Sequence, residues 1–106
     1  MGIRRHPEAS CDLDVIVDYL AQFDPRVAVR FVTAVEETAA VIERLPTLGE
    51  AYPSNSSVFR GIRRTTVKKF RKYVIYYRVI ESGIEILRIL HGLRNAKAIF
   101  EAEEVE

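Results

Sequence analysis

The stretch YVIYYRVIESGIEILRILH, residues 73–91, decides the fold of this chain. Two runs rich in β-branched and aromatic residues, 73–80 and 84–91, flank a Glu-Ser-Gly segment at 81–83. A three-residue connection with glycine last is typical of a β-hairpin whose loop ends in a left-handed residue and a bulge. The stretch therefore predicts two antiparallel strands joined by a tight loop.

Alternation along this hairpin predicts which side chains share a face. The loop sets the register, and the expected pairs are Ile80–Ile84, Arg78–Ile86, Tyr76–Arg88 and Val74–Leu90. One face then carries the residues Val74, Tyr76, Arg78, Ile80, Ile84, Ile86, Arg88 and Leu90. The other face is also largely apolar, and strands that are apolar on both faces are normally covered on both.

Upstream of the hairpin, apolar residues spaced at i, i+3, i+4 and i+7 predict two helices. The first begins at Pro7, a favourable first helical residue, and runs to about Gln22. The second begins after Asp24, a good N-cap, has about 20 residues, and is stopped by Pro46 and Gly49. The short break between the two predicts an antiparallel helix hairpin.

Two further segments complete the expected sheet. Residues 2–6, GIRRH, suit a brief first strand, and Ile62–Val67 is expected to be a strand because its periodicity is two. Residues 46–59 are rich in Pro, Ser, Gly and Asn, which predicts a surface loop. The expected fold is α+β: an N-terminal helix hairpin packs on a small twisted antiparallel sheet of three to four strands, followed by a short C-terminal helical segment. A chain of 106 residues fits one domain, 1–106.

The helix hairpin can cover only one face of this sheet, and no long segment remains to cover the other fully. We therefore expect an exposed apolar face that binds a partner. Its expected residues are Tyr76, Arg78, Ile84, Ile86, Arg88 and Leu90. The alternative is that the C-terminal segment 95–101 folds back and hides part of this face.

The composition is that of an ordinary soluble protein, with 48% hydrophobic residues, 29% charged residues and a net charge of +1. No apolar run is long enough to span a membrane, and the basic N-terminus lacks the apolar core of a secretory signal. The single Cys11 excludes an internal disulfide, so a reducing cytoplasm is the expected location. Two distant histidines and the lack of an acidic cluster indicate no metal site, and no cofactor is expected.

The charges are unevenly distributed along the chain. Between Arg60 and Arg78 every charged residue is basic, which predicts a positive surface for an anionic partner. The alternative is a strand pair with solvated lysines on its open side. With Arg94 added, the expected target-binding patch comprises Arg60, Arg63, Arg64, Lys68, Lys69, Arg71, Lys72 and Arg94.

The end of the hairpin, ILRILHGLRN at 86–95, raises a catalytic question. His91 lies between Arg88 and Arg94, and this combination can supply a general acid and two phosphate clamps for RNA cleavage. Strand alternation, however, predicts Arg88 and His91 on opposite faces of the sheet, unable to serve one site. We therefore expect His91 to be structural, with its ring capping the strand end or bonding a backbone carbonyl, and His6 to be structural as well.

Five short motifs occur in a specific order along nearly the whole chain. They are A-x-x-D-L-x-x-I at Ala9–Ile16, P-x-x-A-x-R-F at Pro25–Phe31, L-P-x-L-G at Leu45–Gly49, F-R-x-Y-x-I-x-Y-R at Phe70–Arg78 and I-x-I-L-R-x-L-H-G-x-R at Ile84–Arg94. In this order the sequence resembles the RelE/ParE superfamily of toxins from bacterial type II toxin–antitoxin systems. The resemblance implies a small antitoxin whose C-terminal part wraps the helices and the sheet.

Two activities occur in that superfamily. The RelE-like members resemble ribosome-dependent mRNA endonucleases, whereas the ParE-like members act on DNA gyrase and show no nuclease site. The resemblance implies that the nucleases use an arginine on the middle strand, an arginine after the last strand and a Tyr or His in the C-terminal segment. Here these positions hold Val74, Arg94 and Phe100, and the segment 96–100 contains neither Tyr nor His.

The sequence therefore favours a ParE-like toxin that inhibits gyrase, is not an enzyme, and is neutralised by a cognate antitoxin on the expected exposed face. A heterotetramer or larger toxin–antitoxin complex is compatible with this reading, and the toxin alone is expected to bind neither a membrane nor a specific nucleic-acid sequence. One alternative is an mRNA endonuclease with a site built from His91, Arg94, Arg88, Lys68 and Lys69. Another is a degenerate toxin that binds only its antitoxin.

Overall fold

The protein is an α+β fold in which three helices pack on a five-stranded sheet, as seen in a computed structural model that describes residues 2–53 and 57–105. The strand order is β1-β5-β4-β3-β2. The elements are β1 Gly2–Arg5, α1 Pro7–Ala21, α2 Pro25–Arg44, β2 Glu50–Ala51, a short 3₁₀ turn Ser57–Phe59, β3 Ile62–Val67, β4 Phe70–Ile80, β5 Gly83–His91 and α3 Ala96–Val105. The α+β class, the helix hairpin and the C-terminal helix expected from the sequence are confirmed.

Local capping explains where the two long helices begin. The Nδ1 atom of His6 accepts a hydrogen bond from the Glu8 amide at 3.1 Å, and Pro7 follows as the first helical residue. Asp24 caps α2 in the same way, since its carboxylate accepts from the Arg26 amide at 2.9 Å. The Arg26 side chain donates further hydrogen bonds to Asp24, and these contacts lower the pKa of its carboxyl group below the usual value.

The sheet differs from the expected one in its edges. The first strand, β1, pairs in parallel with β5, with Ile3 opposite Ile84, and the two-residue β2 pairs with β3. The sheet is therefore mixed and has five strands rather than three to four antiparallel ones. The whole of β2 lies in the segment 46–59 that was expected to be a loop, of which residues 54–56 lie outside the described residues.

The register predicted for the central hairpin is correct in one half and wrong in the other. Tyr76 pairs with Arg88 and Val74 with Leu90 as expected, but a register shift follows, and Tyr77 then pairs with Ile86. Leu87 is the extra residue of this bulge. The turn is correspondingly tighter than expected, because Ile80 pairs with Gly83 and only two residues lie between them.

The bulge changes which side chains share a face of the sheet. Ile84 and Ile86 lie on the same side as the helix hairpin, in a core with Phe31 and other residues of α1 and α2. Tyr76 and Leu90 lie on the opposite side, in a second cluster. The expectation that all eight residues lie on one face is therefore wrong, because one extra residue in a strand inverts the alternation beyond it.

The second face of the sheet is covered, contrary to the expectation of a large exposed apolar face. Tyr52 stacks on Phe59 with ring centroids 4.0 Å apart. Phe59 and Tyr76 each contact the ring of Phe100 on α3. Ala96, one turn before Phe100, is buried in the same cluster. The structure therefore adopts the alternative, in which the C-terminal segment folds back over this face. Ala96 and Phe100 lie four residues apart, so both project from the same side of α3.

Candidate functional site

A groove runs between α1 and the second half of β5. The strand β1 pairs with β5 only as far as Ile86, so the outer edge of Leu87–His91 is flanked by α1 instead of a strand. The groove has a volume of about 620 Å³. Its lining residues are Asp12, Val15, Ile16, Tyr19, Leu20, Lys72, Tyr73, Arg88, Ile89, Leu90, His91 and Arg94. Its lining combines apolar side chains with a few charged groups, which makes it the first candidate for a binding site.

The apolar wall of this groove continues over α1. Val15 is 68% exposed, Tyr19 53% and Phe23 72%. Val15 and Tyr19 lie one turn apart on α1, and the ring of Phe23, just beyond the end of the helix, contacts the Tyr19 ring edge-on with centroids 5.2 Å apart. The exposed pair Val15 and Tyr19 was not predicted, although its spacing is visible in the sequence, because the apolar stripe predicted for α1 is the buried one.

An ion pair closes the floor of the groove. The carboxylate of Asp12 accepts hydrogen bonds from Nε and Nη2 of Arg88, both at 2.8 Å, and from the Ile89 amide at 3.0 Å. Each side chain is only 11% exposed. Asp12 thus bonds both the side chain of Arg88 and the unpaired edge of β5, and it joins α1 to the sheet.

The turn after β5 holds His91, Gly92 and Arg94 in fixed positions. The Nδ1 atom of His91 accepts from the Leu93 amide at 3.1 Å, which is the capping role expected for it. The Gly92 amide donates to the Lys72 carbonyl at 2.6 Å, and a Cβ at Gly92 would lie 3.3 Å from that oxygen. The Arg94 amide bonds the His91 carbonyl. Arg94 and Lys72 therefore lie on the rim of the same groove.

The structure brings some of the residues of the nuclease alternative together. The register keeps Arg88 and His91 on opposite faces of the sheet, as expected. Both nevertheless line one groove with Arg94, so the expectation that they cannot serve one site is wrong. The reason is that the guanidinium of Arg88 turns round the sheet edge towards Asp12. Lys68 and Lys69 do not line this groove, and Arg88 and Nδ1 of His91 are engaged in the hydrogen bonds above.

The two positions that lack nuclease residues lie on the other face of the sheet. Val74 lines a hollow of about 350 Å³ together with Arg64, Tyr76 and Gly92. Phe100 is buried with its ring 5.6 Å from that of Phe59 and 5.5 Å from that of Tyr76. Burial raises the pKa of Tyr76 above the ordinary value of 10.0. This hollow therefore combines an apolar middle-strand residue with an un-ionised tyrosine.

The six residues expected to bind the antitoxin are divided between the two faces. Ile84 and Ile86 are buried under the helices, and Tyr76 and Leu90 are buried under α3. Arg88 is paired with Asp12, and the exposed Arg78 donates to the buried Glu85. These six side chains do not form one exposed surface.

The predicted basic patch is divided as well. Arg63 donates to the Gly49 carbonyl at 2.6 Å, and Arg64 pairs with Glu50 at 2.7 Å while its guanidinium lies over the Tyr52 ring. Lys68 lies 3.7 Å from Glu37. Arg60 lies at the far end of β3. The remaining members of the patch have no acidic partner among the described side chains and are exposed: Lys69, Arg71, Lys72 and Arg94.

Other classes of site are absent from the described parts of the chain. Residues 2–53 and 57–105 contain no cluster of three His, Cys, Asp or Glu side chains that would hold a metal ion. Within the same residues, none of the helices combines the length and the apolar character needed to cross a membrane.

Comparison with known proteins identifies the class. Among solved structures, a chain of the chromosomal ParDE TA system from P. aeruginosa matches with a TM-score of 0.68 and 27% sequence identity, over 86% of this chain and 95% of that one. A search among curated proteins finds no match. The fold is therefore one that a chain of a ParDE TA system also has. The family model described as ParE toxin of type II toxin-antitoxin system, parDE, matches residues 3–96, and the chain belongs to this family.

Proposed function

We propose that this toxin inhibits DNA gyrase and is neutralised by a cognate antitoxin. The observation that carries the proposal is the family membership over residues 3–96. The positions at which the superfamily nucleases hold an arginine and a hydroxyl or imidazole are consistent with it, because Val74 and Phe100 have neither group. The toxin then acts by binding in the cytoplasm, where gyrase is found, and not as an enzyme.

The antitoxin, in this proposal, docks in the groove between α1 and β5. Three observations support this position: the exposed side chains of Val15 and Tyr19, the edge of β5 beyond Ile86 that has no neighbouring strand, and the cationic rim of Lys72 and Arg94. The segment that fits is apolar along one side and acidic at the end that meets the rim. This assignment replaces the face around Tyr76. A one-to-one contact of this kind is compatible with a heterotetramer built through the antitoxin.

Gyrase inhibition is tested with purified components. The toxin is added to gyrase, ATP and relaxed plasmid, and the reaction is stopped with detergent and protease. We expect loss of supercoiling and accumulation of linear DNA, which reports stalled cleavage complexes. Translating ribosomes with bound mRNA are treated in parallel. Intact gyrase activity together with cut mRNA would establish the nuclease alternative, and no effect in either assay would indicate a degenerate toxin.

A histidine variant makes the first assay more discriminating. His91→Ala removes the only imidazole in the groove and leaves the described fold contacts of the helices intact. We expect gyrase inhibition to persist, because in this proposal His91 is a turn cap. Loss of mRNA cleavage in the same variant would instead assign it a catalytic role.

The antitoxin position is tested with matched substitutions of two exposed valines. Val15 in the groove and Val29 on α2 are exposed to nearly the same degree, 68% and 66%. We expect Val15→Glu to prevent rescue of growth by the antitoxin encoded beside the toxin, since it puts a buried charge into the interface. Val29→Glu should be rescued like the parent. Equal rescue of both variants would exclude the groove as the docking site.

A further inference from the structure

Four of the unpaired cations of the patch lie together at one end of the molecule. Lys69, Arg71 and Lys72 belong to the tip of the β3–β4 hairpin, which connects Val67 to Phe70 through the two-residue turn Lys68–Lys69. His91 lies opposite Tyr73 in the neighbouring strand, so the turn that carries Arg94 is at the same end. The 2.6 Å hydrogen bond between Gly92 and the Lys72 carbonyl joins the two.

These cations line a continuous surface of three adjoining hollows. The first contains Arg30, Lys69 and Phe70. The second contains Lys69 through Tyr73, and it shares Lys69 and Phe70 with the first. The third is the groove described above, which shares Lys72 and Tyr73 with the second and adds Arg94. We name this surface, from Arg30 to Arg94, the cationic track.

The charge on the track is not cancelled by its neighbours. Glu37, which lines the first hollow, is already paired with Lys68, and Asp24 near the start of α2 is paired with Arg26. Lys69, Arg71, Lys72 and Arg94 have no ion pair to any side chain that the structure describes. In a protein with a net charge of +1, four unmatched cations at one end create a localised positive potential.

We propose that the cationic track binds the phosphate backbone of duplex DNA without sequence preference. Four residues of strand span about 13 Å, and duplex DNA carries one charge per about 1.7 Å of its axis. Several phosphates therefore face the tip at once. Tyr73 and Phe70 contact the ring of Phe31 edge-on, so these rings are held by the core and do not stack on splayed bases.

This inference deepens the proposed function and rests on it in one respect. A toxin that stalls gyrase on cut DNA acts on a complex in which duplex DNA is bound beside the protein surface. The track then adds affinity for the DNA-bound enzyme over free gyrase. The contact with DNA itself does not depend on gyrase and is measured without it.

The test is the salt dependence of binding to a short fluorescent duplex, followed by anisotropy. For four phosphate contacts, the slope of log K against log salt is expected to be about −3.6, so a fourfold rise in salt weakens binding about 150-fold. The double variant Arg71→Gln/Lys72→Gln should have a slope of about −1.8. The control Arg44→Gln/Arg60→Gln removes the same charge from exposed positions outside the track and should keep the parent slope.

The second pair Lys69→Gln/Arg94→Gln provides an independent measure, and matched melting temperatures establish that each variant is folded. Equal slopes for the track and control pairs would overturn the proposal. So would a slope near zero, tighter binding to single strands than to the duplex, or equal binding of a polyglutamate peptide, which would indicate an acidic protein partner. Gyrase inhibition without DNA binding would refute the track and leave the proposed function intact. DNA binding without gyrase inhibition would refute the proposed function and leave DNA binding by the cationic track intact.

Discussion

At the scale of single residues, Asp12 connects the sequence motif to the architecture. The motif A-x-x-D-L-x-x-I places Asp12 next to the buried Leu13, and its carboxylate bonds Arg88 and the Ile89 amide. The partners are separated by 76 positions in the chain. The acidic residue of the first motif and the arginine of the last one are thus explained by a single contact.

Replacement of Asp12 by alanine should lower the free energy of unfolding. Asp12→Ala removes one partner of a largely buried ion pair with Arg88, and such a removal typically costs about 3–5 kcal/mol of the free energy of unfolding. The exposed neighbour Asp14 is the matched control, and Asp14→Ala should change stability by less than about 0.5 kcal/mol. Urea denaturation measures both. Similar midpoints for the two variants would show that the ion pair contributes nothing to stability.

Tyr77 has a comparable role for the loop between α2 and β2. Its hydroxyl accepts from the Gly49 amide at 2.9 Å and donates to the Pro46 carbonyl at 2.7 Å. A Cβ at Gly49 would overlap this hydroxyl, which explains the glycine of the L-P-x-L-G motif. Burial raises the pKa of Tyr77 above its ordinary value of 10.0.

Tyr77→Phe should lower the free energy of unfolding by about 2 kcal/mol, because it leaves a buried amide without an acceptor. The pH dependence has a definite sign. The raised pKa makes the contribution of Tyr77 fully present below pH 10 and lost as pH rises through the folded value. The alkaline loss should therefore be smaller in Tyr77→Phe than in the parent. Denaturation at neutral and alkaline pH measures this, and the exposed Tyr19→Phe should match the parent at both.

At the scale of elements, the β3–β4 hairpin tip combines strain with anchoring. Lys69 has a φ of 68°, the only positive value among the described non-glycine residues. The preceding Lys68 amide donates to Oγ1 of Thr38 at 3.0 Å, and that hydroxyl donates to the Ala34 carbonyl. The helix α2 therefore fixes the turn, and the turn sets the positions of the cations that follow.

Lys69→Gly should raise the free energy of unfolding by about 1 kcal/mol, since glycine adopts a positive φ without steric cost. Lys72→Gly removes a lysine side chain from a strand residue instead, and it should lower the free energy of unfolding by about 0.5–1 kcal/mol. Thermal unfolding distinguishes the two. Destabilisation by both substitutions to the same extent would mean that the turn conformation at Lys69 is not strained. Both variants should weaken DNA binding if the cationic track is correct.

At the scale of the whole molecule, the proposed antitoxin groove is one end of the cationic track, and Lys72 and Arg94 are the cations of the track on its rim. An antitoxin segment with acidic residues at this rim excludes DNA phosphates from it, by charge and by occupancy. Neutralisation then needs no change in the toxin fold. The two surfaces meet there because the tip of β4 and the end of β5 lie side by side in the sheet.

This overlap predicts competition. Antitoxin added to the toxin–duplex complex should release the DNA at stoichiometric concentrations, as measured by the fall in anisotropy. Addition of the Val15→Glu toxin with the same antitoxin should leave the DNA bound, because the groove no longer accepts the segment. A stable ternary complex of toxin, antitoxin and duplex would contradict the shared rim.

The sequence by itself determined most elements of this protein, with the short β2 as an exception. Capping by Asp24, the helical start at Pro7 and the strand Ile62–Val67 were all predicted, because caps and periodicity depend on neighbouring residues. The ordered motifs, and Val74 and Phe100 where nuclease groups would be needed, also indicated the ParE family, which the family model confirms.

The tertiary structure decided what each face of the sheet does. The bulge at Leu87 moved Ile84 and Ile86 to the helix side, and α3 covered Tyr76. Only the fold could show that Arg88 is bound by Asp12 and that Lys72 and Arg94 share a rim. These features depend on contacts between residues far apart in the chain. One extra residue or one ion pair is enough to change such contacts, and neither leaves a periodic signal in the sequence.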